Sequence, residues 1–280
     1  MVDLKQALRE SGKLTDKEMD MLKASYDIVG DIAIIDIDKA LRKKEKIIAW
    51  EILKLNRHVK TVARKVGIHT GELRLQKTKV IAGENKKETV HKESRVMLRL
   101  NIDKVYFSVR LSTERLRIAS LIKDGETVLV MFSGCGPYVC VFAKNTKAKE
   151  IYGIEKNKTG HRYAEENVRL NRITDARLFY GDVRKIMPKF PKRLRFGRIV
   201  MPLPKGGGDF LDLALSRIKK GGTIHFYDFL REEEIPDAAI KKIEKACKEA
   251  GKRFKVLHWN RCGSNAPRKY RVCVDFKAIG

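Results

Sequence analysis

TVLVMFSGCGPYVCVFAKNTKAKEIYGIE, residues 127–155, decides how this 280-residue chain folds. An apolar run, Thr127 to Met131, breaks at Ser133-Gly134-Cys135-Gly136; a helix-length stretch follows, and a second apolar run, Ile151 to Ile154, ends on Glu155. Strand, Gly-rich turn, helix, strand and acid in that order make a crevice for a nucleoside cofactor. The glycines let backbone approach a ligand closely, and an acid about 20 residues on can accept hydrogen bonds from a ribose. The spacing separates two cofactor classes. A dinucleotide turn carries a third glycine for tight helix packing around a pyrophosphate, and here that position is Val139. One Gly-x-Gly with a following acid fits S-adenosylmethionine better than NAD; a turn of this kind with no ligand is the plainer alternative.

Working outward, β and α patterns alternate to the end of the chain. Strands are predicted at Thr127 to Met131, Ile151 to Ile154, Arg177 to Tyr180, Arg198 to Met201, Thr223 to Asp228, Arg253 to His258 and Arg271 to Phe276. Helices fall between them, and Ser112 reads as the N-cap of another, Thr113 to Ile122. Seven strands alternating with helices imply an α/β, doubly wound, Rossmann-like sheet, and the last two, joined by a loop alone, imply an antiparallel hairpin at its edge. That edge reversal marks a class I methyltransferase domain, assigned to residues 104–280. Upstream, residues 25–103 read as a smaller α/β module with a mixed sheet. Residues 1–24 read as one short helix, with Leu4, Leu8, Leu14, Met19 and Leu22 spaced among charges.

Lys and Arg total 61 against 35 acids, a formal charge of +26. The imbalance points to a polyanionic partner, with phosphate neutralisation supplying much of the affinity. Heat-adapted proteins are also rich in Lys and Glu, but there the two signs balance. Five cysteines are odd in number and scattered without a Cys-x-x-Cys pair, which argues against a disulfide framework or a zinc site; no metal is expected. Neither a span of roughly 18 apolar residues nor a hydrophobic N-terminal block is present, so a soluble, cytoplasmic protein away from membranes is the expectation; a monomer is expected as a separate matter.

The segments SYDIVGDIAII, KTVARKVGIHTGELR, KVYFSVRLSTERLRIA, MFSGCGP, MPLPKGGGDFLDLAL, GGTIHFYDF and CGSNAPRKYRVCVDF, in that order from Ser25 onward, resemble the archaeal and eukaryotic tRNA (guanine-37 N1)-methyltransferases. The resemblance implies a tRNA-holding module joined to a catalytic domain that uses S-adenosylmethionine, with the anticodon arm as the partner. Guanine N1 is protonated at neutral pH, so its methylation needs a base and a donor for the charge that develops on O6. By resemblance these are Glu114 and Arg74; on their own, the first is an ordinary first-turn acid and the second a solvated strand residue. The resemblance also implies a cofactor site of Tyr106, Phe107, Arg110, Gly134, Gly136, Glu155, Asp182, Val183, Pro202, Leu203 and Pro204, with Pro204, Arg261 and Ser264 near the target nucleotide. The prolines remove donors and leave carbonyls to face the base.

Three positions depart from the family pattern: Val130 stands for its Asp, Pro202 for the Asn of Asn-Leu-Pro, and Val109 for the Pro of FSPR. They bear on efficiency more than on reaction class. Two other functions stay open on the sequence alone. One is transfer of the aminocarboxypropyl group of the same cofactor, as in wybutosine synthesis; the other is a non-catalytic basic RNA-binding protein with a degenerate cofactor pocket.

Overall fold

A computed structural model describes residues 3–279. Contacts divide the chain into two compact units, one running to Glu93 and including Met97–Val109, the other comprising Ser94–Val96 and everything from Arg110.

The first unit opens with two helices where the sequence predicts one. Helix α1, Leu4–Glu10, starts on Asp3, whose side chain accepts from Gln6 N–H, and stops at Ser11. Gly12 then takes φ +63°, and Thr15 and Glu18 form a capping box that begins α2, Asp16–Met21. The five apolar residues of this segment nonetheless share one buried cluster with Ile35, Leu41, Ile48 and Ile52. Strands β1 (Tyr26–Val29) and β2 (Ile32–Ile35) pair antiparallel; α3 (Glu45–Leu55) then crosses over to β3 (Thr61–Thr70), parallel to β2, and β4 (Leu75–Gly83) returns beside it. A separate two-stranded sheet is made by β5 (Glu88–Glu93) and β6 (Val96–Asn101). Their turn places Ser94 and Arg95 at φ +42° and +67°, the left-handed pair of a tight hairpin.

In the second unit, α4 (Ser112–Ser120) precedes β7 (Thr127–Met131), α5 (Pro137–Asn145), β8 (Glu150–Glu155), α6 (Lys158–Leu170), β9 (Ala176–Tyr180) and the one-turn α7 (Val183–Ile186). There follow β10 (Phe196–Met201), α8 (Leu211–Arg217), β11 (Ile218–Arg231), α9 (Asp237–Glu249), β12 (Arg253–Ala266) and β13 (Lys269–Ile279). Ser112 does not cap α4: Leu111 holds the cap position, no side chain caps it, and Ser112 is the first helical residue. The seven strands form one sheet in the order β12-β13-β11-β10-β7-β8-β9. The β7, β8, β9, β10 and β11 ladders are parallel, whereas β13 runs antiparallel to both β11 and β12.

Every residue of β7 is buried, as befits a strand covered on both faces. Leu129, Met131, Ile199, Met201, Phe226 and Val274 carry the core across the sheet. Strand order reverses between β7 and β10, and such a reversal opens a crevice beyond the carboxyl ends of the two strands. All five cysteines are free and buried. Among the described residues no helix is long and apolar enough to cross a membrane.

Candidate active site

At the carboxyl end of β7 the backbone is held in a form that few residues tolerate. Phe132 adopts φ +58°, Gly134 +59° and Gly136 +81°, with Phe132 packed edge-on to Phe210 at 5.0 Å. A left-handed Phe costs free energy and persists where its surroundings over-determine it, commonly at functional sites. Gly136 caps α5, and a Cβ there would lie 3.2 Å from the Ala164 Cβ, so α6 packs close because the side chain is missing. Gly134 N–H donates to Glu155 Oε2 at 2.6 Å and Asn157 N–H to Oε1 at 2.6 Å. Glu155 therefore ties the Gly turn to the end of β8. Burial pushes its carboxyl above the ordinary value, against the pull of those backbone donors.

Asp182 lies next in the row. Gly181 N–H donates to the Glu155 carbonyl at 2.9 Å, while the Asp182 side chain caps α7 by accepting from Arg184 N–H at 2.8 Å and pairs with Lys156 at 3.3 Å. Burial raises this carboxyl, but the Arg184 amide and the Lys156 ammonium outweigh it and hold it below the ordinary value. Val183 is buried in the core beside Met187. After β10, Leu203 N–H turns back to the Met201 carbonyl at 2.8 Å. The Pro204 carbonyl, expected to face a base, accepts from Phe229 N–H at 3.2 Å, which leaves its second lone pair.

Glu114 sits in the first turn of α4 with its side chain 2 % exposed. Arg117, one turn on, grips it with Nε on Oε2 and Nη2 on Oε1, both at 2.8 Å; Tyr227 Oη donates to Oε1 at 2.8 Å and Asn260 Nδ2 to Oε2 at 3.0 Å. Tyr138, in the first turn of α5, donates in turn to Tyr227 Oη at 3.2 Å. Two phenols thus connect the helix that leaves the Gly turn to the buried carboxylate. On the far side Arg117 reaches Asp275 at 2.6 Å, Asp275 accepts at 2.6 Å from His225 Nδ1, and His225 Nε2 lies 2.7 Å from Arg198 Nη1. Arg198 also bonds Glu126 at 2.9 Å and the Leu121 carbonyl. His225, Cys273 and Asp275 bring three ligand-type atoms within 4.8 Å of one another. The two guanidiniums on this cluster already satisfy it and would oppose a cation.

The other expected site residues have the following surroundings. Arg74 belongs to the first unit, at φ +52° with its guanidinium 5.3 Å from the centre of the Tyr106 ring, and Phe107 meets His91 edge-on at 5.3 Å. Arg110 lies in a 3-10 turn just before α4. Arg261 pairs with Glu232 at 3.1 Å and lies over Tyr270, and Ser264 Oγ donates to the Ala266 carbonyl at 3.1 Å. Sequence reasoning missed Arg117, Tyr227, Asn260, Asp275 and His225. Only Arg117 gave a local signal, standing three residues after Glu114 on one helix face.

The network carries a pH dependence whose sign is fixed. Burial pushes the His225 imidazole down, and Arg198 and Arg117 add to that push against Asp275. Burial raises the Asp275 carboxyl, but His225 and Arg117 outweigh it and hold it well below the usual carboxylate range. The unfolded chain takes up a proton on this histidine near pH ~6.5 and on the aspartate near ~3.9, protons that the fold resists. Stability is therefore expected to fall as pH drops below about 6.5 and to fall further below about 4. Thermal melts between these values will show it, and His225→Asn should flatten the upper part of the slope; an unaltered slope would remove His225 as its origin.

This sheet order, with a Gly turn after the first parallel strand and an acid closing the second, defines a class I methyltransferase. Residues 89–257 match the TRM5/TYW2 methyltransferase domain and residues 4–86 the TYW2 N-terminal domain. The tRNA (guanine(37)-N(1))-methyltransferase Trm5b of Pyrococcus abyssi is 37 % identical over 91 % of this chain and 75 % of its own length. The structure of aTrm5 in complex with tRNALeu superposes with a TM-score of 0.85 at 32 % identity, covering 99 % of this chain and 78 % of that one. Trm5 of Methanocaldococcus jannaschii in complex with adenosine gives 0.81 at 32 %, covering 99 % and 78 %. The chain belongs to the TRM5/TYW2 methyltransferase family.

Proposed function

We propose that this protein transfers the methyl group of S-adenosylmethionine to N1 of guanosine 37 in tRNA, acting as a monomer on the anticodon arm. The observation that carries this reading is the connection from the Gly134–Gly136 turn through Tyr138 and Tyr227 to Glu114. It couples a nucleoside crevice to a buried carboxylate within one unit. The crevice suits the cofactor: the Gly134–Gly136 turn brings bare backbone to the carboxyl end of β7, and Glu155 presents a carboxylate at the turn for the ribose hydroxyls. Asp182 and Val183 are assigned to the adenine end, and Tyr106, Phe107 and Arg110 to the methionine end. Bound there, the cofactor supplies an electrophilic methyl on a positively charged sulfur.

The chain's own residues do the rest. Glu114 accepts the N1 proton, general-base catalysis of the usual kind. Arg74 donates to O6, where negative charge builds as the proton leaves, and a guanidinium is suited to that because it stays ionised. Pro202, Leu203 and Pro204 border the purine with backbone carbonyls, and Arg261 and Ser264 approach the nucleotide from the β12–β13 hairpin. The charge of +26 serves the RNA backbone, with affinity falling as salt rises.

Incubation of the full chain with S-adenosylmethionine and an unmodified tRNA transcript bearing guanosine 37, followed by digestion and nucleoside mass spectrometry, tests this. N1-methylguanosine is the expected product. Unchanged guanosine in a protein that binds the cofactor would leave an RNA-binding role. An adduct with the mass of an aminocarboxypropyl group, formed on a 4-demethylwyosine-containing tRNA, would reassign the chemistry.

A further inference from the structure

We infer that Asn260 occupies, in the protein without RNA, the position on Glu114 that the N1–H of the target purine takes during reaction, and that it leaves when the purine arrives. The inference rests on Glu114 being the base. An ionised carboxylate offers about four lone-pair sites. Four donors fill them in Glu114: Arg117 Nη2 and Tyr227 Oη on Oε1, Arg117 Nε and Asn260 Nδ2 on Oε2. A purine N1–H must displace one of these to reach an oxygen.

The four are not equally held. Arg117 binds through two nitrogens and is anchored from behind by Asp275 at 2.6 and 3.3 Å; without it two buried carboxylates would face each other unneutralised. Tyr227 is 1 % exposed on β11, an interior strand of the sheet, and Tyr138 backs its hydroxyl. Asn260 is held less firmly than either. It stands on β12, the edge strand, and is only partly buried. It donates a single bond from an uncharged group, the longest of the four at 3.0 Å. The ladder slips register just beyond it, between Arg261 and Gly263, so this stretch is the least tightly tied of the three supports. Exchange of Asn260 for the purine keeps Glu114 fully hydrogen-bonded throughout.

The step balances as a proton transfer coupled to substitution. The N1–H bond breaks and Glu114 Oε2–H forms; the N1 electron pair forms the new N–C bond to the methyl carbon. The S–C bond breaks with its electrons on sulfur, giving S-adenosylhomocysteine, and the proton later passes to solvent. Asn260 has left Glu114 Oε2 when the proton moves, so it is a positioning residue and takes no part in the bond changes.

Single-turnover methylation at saturating S-adenosylmethionine and tRNA, comparing Asn260→Ala and Asn260→Ser with Tyr227→Phe and Glu114→Gln, tests the idea. Removing a bond that must otherwise be broken should raise the rate roughly threefold to tenfold in both Asn260 variants, the equivalent of one net hydrogen bond, with the tRNA concentration at half-maximal rate unchanged. Tyr227→Phe should slow it. A purely structural role for Asn260 cannot raise the rate, so a rate at or below wild type in the Asn260 variants overturns the inference. Should Asn260→Ala melt early, the shorter polar Asn260→Ser decides. Glu114→Gln turning over like wild type would instead remove the underlying assignment of the base, whatever Asn260 does.

Discussion

Glu114→Gln is expected to lower the rate of methyl transfer by about 10²- to 10⁴-fold, the usual contribution of a positioned general base, while S-adenosylmethionine binding stays within about twofold of wild type. The amide is nearly isosteric, yet it cannot take the N1 proton. One of its faces also presents N–H groups to donors already there, since Arg117, Tyr227 and Asn260 all point hydrogens at this side chain. Some loss of stability is therefore expected alongside the kinetic one. Single-turnover assays paired with calorimetric cofactor binding separate the two: parallel loss of rate and cofactor affinity would make Glu114 a structural residue of the crevice, and retained turnover would place the base elsewhere.

Arg117→Met should have the largest effect on the fold. The guanidinium lies between two carboxylates, Glu114 and Asp275, each with its side chain 2 % exposed. Burial works to lower its pKa, but the two carboxylates outweigh it and hold it above the ordinary value. Removing one member of a buried ionic network costs roughly 3–5 kcal/mol, because the remaining charges are left uncompensated. A loss of that size corresponds to a fall in melting temperature of about 10 °C for a unit of this length. Lys at this position keeps the charge but not the two-nitrogen grip, so an intermediate melting temperature is expected for Arg117→Lys. Melting within a degree or two of wild type for Arg117→Met would show that the network contributes little.

The sheet could be read from the sequence because each strand announces itself locally. An apolar run, a Gly turn and an acid within residues 127–155 are enough to place β7, α5 and β8, and the limits of the two strands differ from expectation by no more than a residue. Errors arose where a short signal was outweighed. The Thr15–Glu18 capping box was written in the N-terminal segment, but the regular leucine spacing across Gly12 suggested one helix. Ser112 is a good capping residue type, yet the 3-10 turn Val109–Leu111 runs directly into α4 and leaves it no cap to fill. Strands β11, β12 and β13 outrun their apolar runs, because ladder pairing carries charged residues such as Lys269 and Arg231 that hydropathy would exclude.

The surroundings of Glu114 were legible only in part. Its position followed from the resemblance, but Tyr227, Asn260 and Asp275 come from strands more than a hundred residues away. No periodicity links residues so distant; only the pairing of β11, β12 and β13 brings them to one carboxylate. Asp182 shows the reverse case. Its cap on α7 and its ion pair with Lys156 account for its place in the fold with no ligand needed.

The insertion of β13 between β11 and β12 has a bearing on how the protein is made. During translation β7 and β8 leave the ribosome well before Asp275, and β12 can join the sheet only through β13. Asp275, the anchor for Arg117, lies on that last strand, so the support behind Glu114 is complete only once β13 has paired.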